Sequence, residues 1–272
     1  MQLLLSRHKS RTLLLLSSAV PRVVGGYEVG NNNIRYHASL QNLTGHHVCG
    51  GAIVSFRHIL TAAHCVDGAS PEYIKVVTGT TNLDDGGKKY HIKEIEIYKH
   101  YNATLRLHDI AIIKVVGFFN KKYADVLELY SKELIEDDAL VLSGFGAMEP
   151  HGESSRKMHA LDLHVFSQET CRFAMRYTRE VYDSMFCTFS KIGEGTCHGD
   201  SGGPLVKDNQ LAGLVSWGIP CAVGFPDVHT RITPYIDWIK RHIKRDLEIT
   251  KKTDVSVNLN LKLNRFKVRR NS

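Results

Sequence analysis

His198-Gly199-Asp200-Ser201-Gly202-Gly203-Pro204 sets one hydroxyl among glycines, so the backbone amides around it are left uncovered. A serine hydroxyl is a poor nucleophile until a base takes its proton. A histidine, and a carboxylate to orient it, are therefore expected elsewhere in the chain. Two stretches supply them: Thr61-Ala62-Ala63-His64-Cys65 offers a histidine beside a cysteine, and His108-Asp109-Ile110-Ala111-Ile112-Ile113 places an acid at the head of an apolar run. Alone, each has a plainer reading: a turn, a satisfied core or surface histidine, a strand-edge acid. Together they stand in the order His, Asp, Ser, one of the chain orders in which acyl-transfer triads occur.

Around these motifs the pattern is all-β. From Val23 onward, short alternating or apolar runs are punctuated by Gly, Asn and Asp, as strands and turns require. The strand candidates are 52–54, 74–77, 92–97, 110–115, 139–142, 161–165, 203–206 and 211–216. A helical period arises only after Thr233-Pro234, where Ile236, Ile239 and Ile243 recur on one face and Pro234 suits the first turn. No internal repeat is evident. Beyond the helix, Val255, Val257, Leu259, Leu261 and Leu263 alternate with polar residues. Three readings of that tail stand: a segment without fixed structure, a strand added to a sheet edge, or a basic tether to anionic surfaces.

The 272 residues suit two average domains or one β-barrel enzyme. The net charge of +7 suggests acidic partners until it is divided: residues 1–22 carry +4 and 244–272 carry +6, leaving −3 on 23–243. The body is mildly acidic, which argues against a nucleic-acid partner. No apolar run approaches the length that spans a membrane. Residues 12–20 read as a short secretory core behind Arg7, Lys9 and Arg11, with a misplaced start codon as the alternative. Six cysteines allow fifteen pairings, and their wide spacing, without a Cys-x-x-Cys pair, suits disulfides in an oxidising compartment rather than zinc.

The chain resembles the chymotrypsin-like (trypsin-fold) serine proteases from Val23 to about Ile243. Besides the three motifs, Val23-Val24-Gly25-Gly26 resembles the family's mature amino terminus and Cys49-Gly50-Gly51 its histidine loop. Ser216-Trp217-Gly218 is similar to the substrate-binding strand and Tyr235-Ile236-Asp237-Trp238-Ile239 to the closing helix. Phe145 stands between Gly144 and Gly146 where the family usually has tryptophan. The resemblance implies two six-stranded antiparallel β-barrels with the active site in the cleft between them and a C-terminal helix. It divides the chain into a signal and short activation segment (1–22), a protease domain (23–243) and a basic extension (244–272). It pairs Cys49 with Cys65, Cys171 with Cys187 and Cys197 with Cys221. In roles, it makes Ser201 the nucleophile, His64 the general base and then acid, and Asp109 the group that fixes the imidazole, with Ser216 supporting Asp109. The amides of Gly199 and Ser201 form the oxyanion hole. Cleavage after Arg22 frees the ammonium of Val23 to pair with Asp200 and so converts a zymogen to the active form.

Specificity is divided. The residue six before the nucleophile, at the pocket base in this family, is Gly195; with Gly218 at the mouth and Trp217 beside it, a neutral pocket for aromatic or large aliphatic side chains is implied, and the run 193–204 resembles those of insect chymotrypsins. Yet Asp227, after Pro226, can bring a carboxylate from another wall, which implies trypsin-like or broad cleavage instead. A rival class, a non-catalytic binding protein on the protease scaffold, is disfavoured because His64, Asp109 and Ser201 are all present. No cofactor or metal is expected: Gly79–Gly87 lacks the glutamates of the family's calcium loop, and Asp84 and Asp85 read as a solvated turn. The expected partners are protein or peptide substrates, an activating protease and protein inhibitors, around a secreted, extracellular monomer.

Overall fold

A computed structural model of the protein describes residues 24–30, 34–246 and 248. A two-residue strand, β1 (Tyr27–Glu28), precedes β2 (His37–Gln41), β3 (His47–Ser55), β4 (His58–Thr61), β5 (Lys75–Thr78), β6 (Lys88–Ile97) and β7 (Ala111–Val115). Strands β2 to β7 close into an antiparallel barrel in the order β2-β3-β4-β7-β6-β5, with β5 returning to β2. Alternate side chains of a strand point to opposite faces, and the inward ones, among them Leu40, Ile53, Ile59, Val76, Ile92 and Ile113, fill this barrel.

The second half follows with β8 (Glu128–Leu129), β9 (Ala139–Gly144), β10 (His159–Phe166), the helix α1 (Gln168–Met175), β11 (Met185–Thr188), β12 (Pro204–Lys207), β13 (Gln210–Trp217) and β14 (Asp227–Arg231). Here β9-β10-β11-β14-β13-β12 form a ring closed by the β12–β9 pairing, while β1 adds to β10 and β8 runs parallel to β13. The strand order repeats that of the first barrel with every number raised by seven, a duplication that leaves no legible repeat in the sequence. The helix α1 starts at Ser167, whose hydroxyl accepts from the Thr170 N–H at 3.4 Å. At eight residues it is too short to register as a helical period.

All eight strand candidates are strands. β1, β2, β4, β8, β11 and β14 go beyond them. His37-Ala-Ser-Leu-Gln41 is buried throughout, and Asp227-Val-His-Thr-Arg231 nearly so. The polar side chains of β2 and β14 are satisfied by distant partners, such as Ser143 for His37 and Thr188 for His229, so neither alternation nor an apolar run marks these two strands.

The barrels share a core. Ala52, Leu60 and Ile112 of the first pack with Val206, Leu211 and Leu214 of the second and with Ile232, Tyr235 and Ile239. The closing helix α2 (236–246), entered through a 3₁₀ turn at Thr233–Tyr235 with Pro234 in its first positions, thus clamps both halves. The boundary drawn after 243 falls inside this helix. Asp246, expected in a separate basic extension, is buried against the first barrel, where it pairs with Lys114 and, at 3.4 Å, with Arg57. The alternating stretch 255–263 lies outside the described residues.

Candidate active site

Strand register brings the first two site residues together. β4 pairs with β7 so that Thr61 faces Ala111. The chain leaving Thr61 reaches His64 within three residues, and the chain entering Ala111 passes Asp109 two residues earlier. His64 Nδ1 lies 2.7 Å from Asp109 Oδ2, and the His64 backbone N–H donates to Asp109 Oδ1 at 2.9 Å. The second barrel fixes the acid: Ser216 Oγ donates to Asp109 Oδ2 at 2.6 Å, and Thr230 Oγ1 donates to the Asp109 carbonyl at 2.8 Å. Asp109 is only 1% exposed. A buried carboxylate held by these donors sets His64 with Nδ1 facing the acid and Nε2 free to exchange a proton.

Ser201 sits in the turn before β12. The Gly50 N–H of β3 donates to the Ser201 carbonyl at 2.8 Å, and Gly202 N–H donates to Val215 O at 2.8 Å. Gly202 has φ +74, and a Cβ there would lie 2.2 Å from Thr61 Oγ1 and 2.7 Å from Gly50 O, so only glycine lets the serine turn approach the first barrel. Thr61 Oγ1 itself donates to the Gly50 carbonyl. Gly199, at φ +97, presents its carbonyl to His47 Nε2 at 2.9 Å, and His47 Nδ1 meets Ser39 Oγ at 2.8 Å. Among the described residues, no acceptor takes the N–H of Gly199 or of Ser201. Two free amides flanking a hydroxyl form a place where a developing oxyanion would be bound. Phe145 is buried behind this turn, between the rings of His37 and His47 at 5.5 and 5.4 Å.

Asp200 is wholly buried. Its Oδ2 accepts from the Cys197 N–H and its Oδ1 from the Gly146 N–H, each at 3.0 Å. Burial outweighs these donors and pushes its carboxyl up to about 7. Arg22 and Val23 lie outside the described residues, but Val24 packs against Ala147, Cys197, Cys221 and Ala222, and its carbonyl accepts from the Gly195 N–H at 3.1 Å.

The two segments expected to wall the specificity pocket are joined by the Cys197–Cys221 disulfide; Cys49–Cys65 and Cys171–Cys187 form as well. A Cβ on Gly195 would stand 2.7 Å from Asp227 Oδ2, and one on Gly218 would stand 3.0 Å from Asp227 Oδ1. The carboxylate therefore lies between the two glycines. It is held by Thr196, whose N–H donates to Oδ2 and whose hydroxyl donates to Oδ1, both at 2.7 Å. Burial raises the Asp227 carboxyl to about 6 despite these bonds. Trp217 is half-buried beside the pocket, with the Arg179 guanidinium 5.2 Å from its ring. The sulfurs of Cys49 and Cys65 lie near His64, but both are in a disulfide and offer no thiolate to a metal.

The structure thus joins His64, Asp109 and Ser216, sets Ser201 among free amides, and surrounds Asp227 with Gly195, Gly218 and Thr196. Sequence reasoning passed over His47, Thr196, Thr230 and Arg179. His47 and Thr196 lie within two residues of cysteines already singled out, a signal that was there to follow. Thr230 and Arg179 carry none.

Fold and site define a serine endopeptidase. The sequence profile described as Trypsin matches residues 23–239, and the chain belongs to the trypsin family. Chymotrypsin-2 of Vespa crabro is 36% identical over 222 residues, covering 81% of this chain and 99% of that protein. Trypsin epsilon of Drosophila erecta is 32% identical over 231 residues, 84% of this chain and 90% of that one. Among solved structures, mouse neuropsin, a serine protease, superposes with a TM-score of 0.74 at 28% identity, covering 80% of this chain and 98% of its own. Family membership makes peptides and proteins the substrates. No described helix is long and apolar enough to cross a membrane.

Proposed function

We propose that the enzyme cleaves after aromatic or large aliphatic residues through an acyl-enzyme on Ser201. In this reading, His64 takes the Ser201 proton as the hydroxyl attacks the scissile carbonyl, and Asp109 stabilises the imidazolium. The N–H groups of Gly199 and Ser201 hold the oxyanion, and His64 returns the proton to the leaving amine. Water then repeats the cycle and frees the acid product. The observation that carries the specificity is the Asp227 carboxylate, satisfied on both oxygens by Thr196, in a pocket whose base residue is Gly195. A carboxylate already held by two donors offers less to an incoming cation. The hornet relative named a chymotrypsin agrees with this reading, although other relatives are named trypsins.

A second reading rests on the same group. An ionised Asp227 between Gly195 and Gly218 is close enough to the pocket to attract Arg or Lys. Cleavage of matched peptides ending in Phe, Leu, Arg or Lys tests the choice: kcat/KM higher for Phe and Leu supports the first reading, and higher for Arg and Lys the second.

The enzyme is further proposed to be a secreted zymogen activated by cleavage after Arg22. Asp200 supports this, since its buried carboxyl has two amide donors but no side-chain cation among the described residues. The ammonium of Val23 would supply the missing charge, and buried Val24 brings the chain to the right side of the pocket.

A further inference from the structure

Two arginines stand over the cleft without a partner acid. Arg179 belongs to the segment between α1 and β11, inside the Cys171–Cys187 loop. Its N–H donates to Met175 O at 3.1 Å, and its guanidinium lies over the Trp217 ring. Arg106 lies in the turn that leads to Asp109. Its backbone has φ +54, a left-handed conformation uncommon for residues other than glycine, and its Nη1 donates to the Tyr101 hydroxyl at 3.2 Å. The two cations feel each other. Burial and then the charge of Arg106 lower the Arg179 pKa, while Asp109 and Tyr101 oppose that shift.

Among the described residues neither arginine makes a salt bridge. Asp109, the nearest acid to influence Arg179, is buried and engaged by His64 and Ser216. Two like charges held half-buried, without a carboxylate, leave an uncompensated positive field, which a cleft with low-dielectric walls focuses rather than disperses. Several other arginines do have a carboxylate partner, Arg35 with Asp125 and Arg156 with Asp84 among them.

We propose that Arg106 and Arg179 form a cationic subsite that binds carboxylate side chains of the substrate, in the residues just before the one that enters the pocket. The inference rests on the protease reading above. An extended peptide adds to the strand end at Ser216-Trp217-Gly218 by main-chain pairing. Its pocket residue lies over Gly195 and Gly218, so the preceding residues cross Trp217. Successive side chains of an extended chain point to opposite sides. One of them therefore faces the Arg179 guanidinium on Trp217, and a neighbour faces Arg106 on the other wall. A guanidinium accepts a carboxylate in a two-pronged geometry that a lysine ammonium does not offer.

The test uses the activated full chain and capped peptides of the form Ala-Ala-Ala-Phe, with Glu or Lys placed in turn at each of the three positions before Phe. Glu in at least one position should raise kcat/KM about tenfold over Ala, and Lys there should lower it, since exposed charge complementarity works through both attraction and rejection. The Glu advantage should shrink as salt is raised to about 0.5 M. In the Arg106→Gln, Arg179→Gln double variant the ratio of Glu to Ala peptides should fall to about one, whereas Arg179→Lys should keep part of it. Binding of the same peptides to Ser201→Ala protein should show the same order without turnover. Equal handling of Glu, Ala and Lys peptides, or a Glu preference that survives the double variant, overturns the subsite alone. Failure to cleave any of these Phe peptides overturns the proposed aromatic specificity, while the order of binding to the Ser201→Ala protein still decides the subsite.

Discussion

The two barrels are wired identically, yet they put different chemistry at the same place. In the first, the exit of β4 and the entry of β7 meet at Thr61 and Ala111, and the chain beside that junction carries His64 and Asp109. In the second, the matching strands are β11 and β14, which meet at Thr188 and Asp227. There the neighbouring chain carries Gly195, Thr196 and Asp227, the base and wall of the proposed pocket. One topology therefore provides a junction for the proposed proton transfer and a junction for the proposed recognition. Each barrel also braces the other's groups: Ser216 and Thr230 hold Asp109 from the second, while His47 and Gly50 hold the Gly199 and Ser201 carbonyls from the first. A site assembled this way needs both barrels fixed, which the shared core supplies.

The strongest way to break the comparison is to remove one group from each barrel. His64→Ala and Ser201→Ala should each lower kcat by about 10⁴ or more, and the double variant should be little worse than either, because groups that act as one unit are not additive. If the losses multiplied, the barrels would be contributing independently and the shared triad would be wrong. Next in size is Arg22→Gln. Without the cut, Asp200 lacks its proposed cation and the oxyanion turn loses its anchor, so turnover should fall about a hundredfold or more, the effect of losing a hole donor. If Val23 pairs with Asp200 in the cut enzyme as proposed, its amine is raised above the reference of about 7.7 to 8.0. That stabilisation is present below the reference value and is lost as pH rises through the raised one. Activity measured from pH 7 to 11 should therefore fall reversibly; full activity from an uncut chain would end the argument.

The comparison also shows what could be read without a structure. The all-β class, the eight apolar strands and the closing helix were legible because their burial is one-sided or continuous, and the His64–Asp109 pair because each partner sits in a local motif. The strands with buried polar side chains were not. In β2, His37, Ser39 and Gln41 are buried by partners in the other half or on neighbouring strands, such as Ser143 for His37 and His47 for Ser39. In β14, Asp227 and His229 find Thr196 and Thr188. A polar residue satisfied at long range looks like a surface residue in sequence. The Asp227 carboxylate was anticipated in the pocket, but Thr196, which decides how far it is available, was not. Nor was the pairing of Arg179 with Trp217, residues 38 apart in number and joined only by the fold.

Asp227 sharpens the recognition side. Asp227→Gly should lower cleavage after Arg or Lys about tenfold and leave cleavage after Phe equal or better, since an apolar side chain gains nothing from a desolvated carboxylate. Because burial places its carboxyl at about 6, the charge exists above that pH and is lost below it. The Arg-to-Phe ratio of kcat/KM in the wild type should therefore drop as pH falls from 7 to 5, and the variant should show no such drop. An unchanged ratio in the variant at pH 7 would mean that Thr196 screens the carboxylate fully and that the glycines alone set the preference.

The smallest effect on turnover, and a test of what holds the first barrel in place, concerns the end of α2. Asp246 is 4% exposed and neutralises Lys114 of β7 and Arg57, with His58 Nε2 at 4.0 Å. β7 is the strand that begins two residues after Asp109, so the helix end and the carboxylate that holds His64 are tied to opposite ends of one strand. The second barrel has no equivalent clamp from α2 among the described ion pairs. Removing one member of a buried pair leaves the other desolvated, a loss of about 3 kcal/mol, or about 6 to 12 °C in Tm for a chain of this size. Asp246→Ala should show that loss with kcat within twofold of wild type. A chain ended after Arg245 should behave like the substitution, whereas one ended after Glu248 should melt like the full protein. If the chain ended after Arg245 were as stable as the full protein, Lys114 would be solvated without its partner and the clamp would not exist. If turnover fell tenfold while folding was kept, the strain would be reaching Asp109 along β7, and the first barrel would be less rigid than its shared core implies.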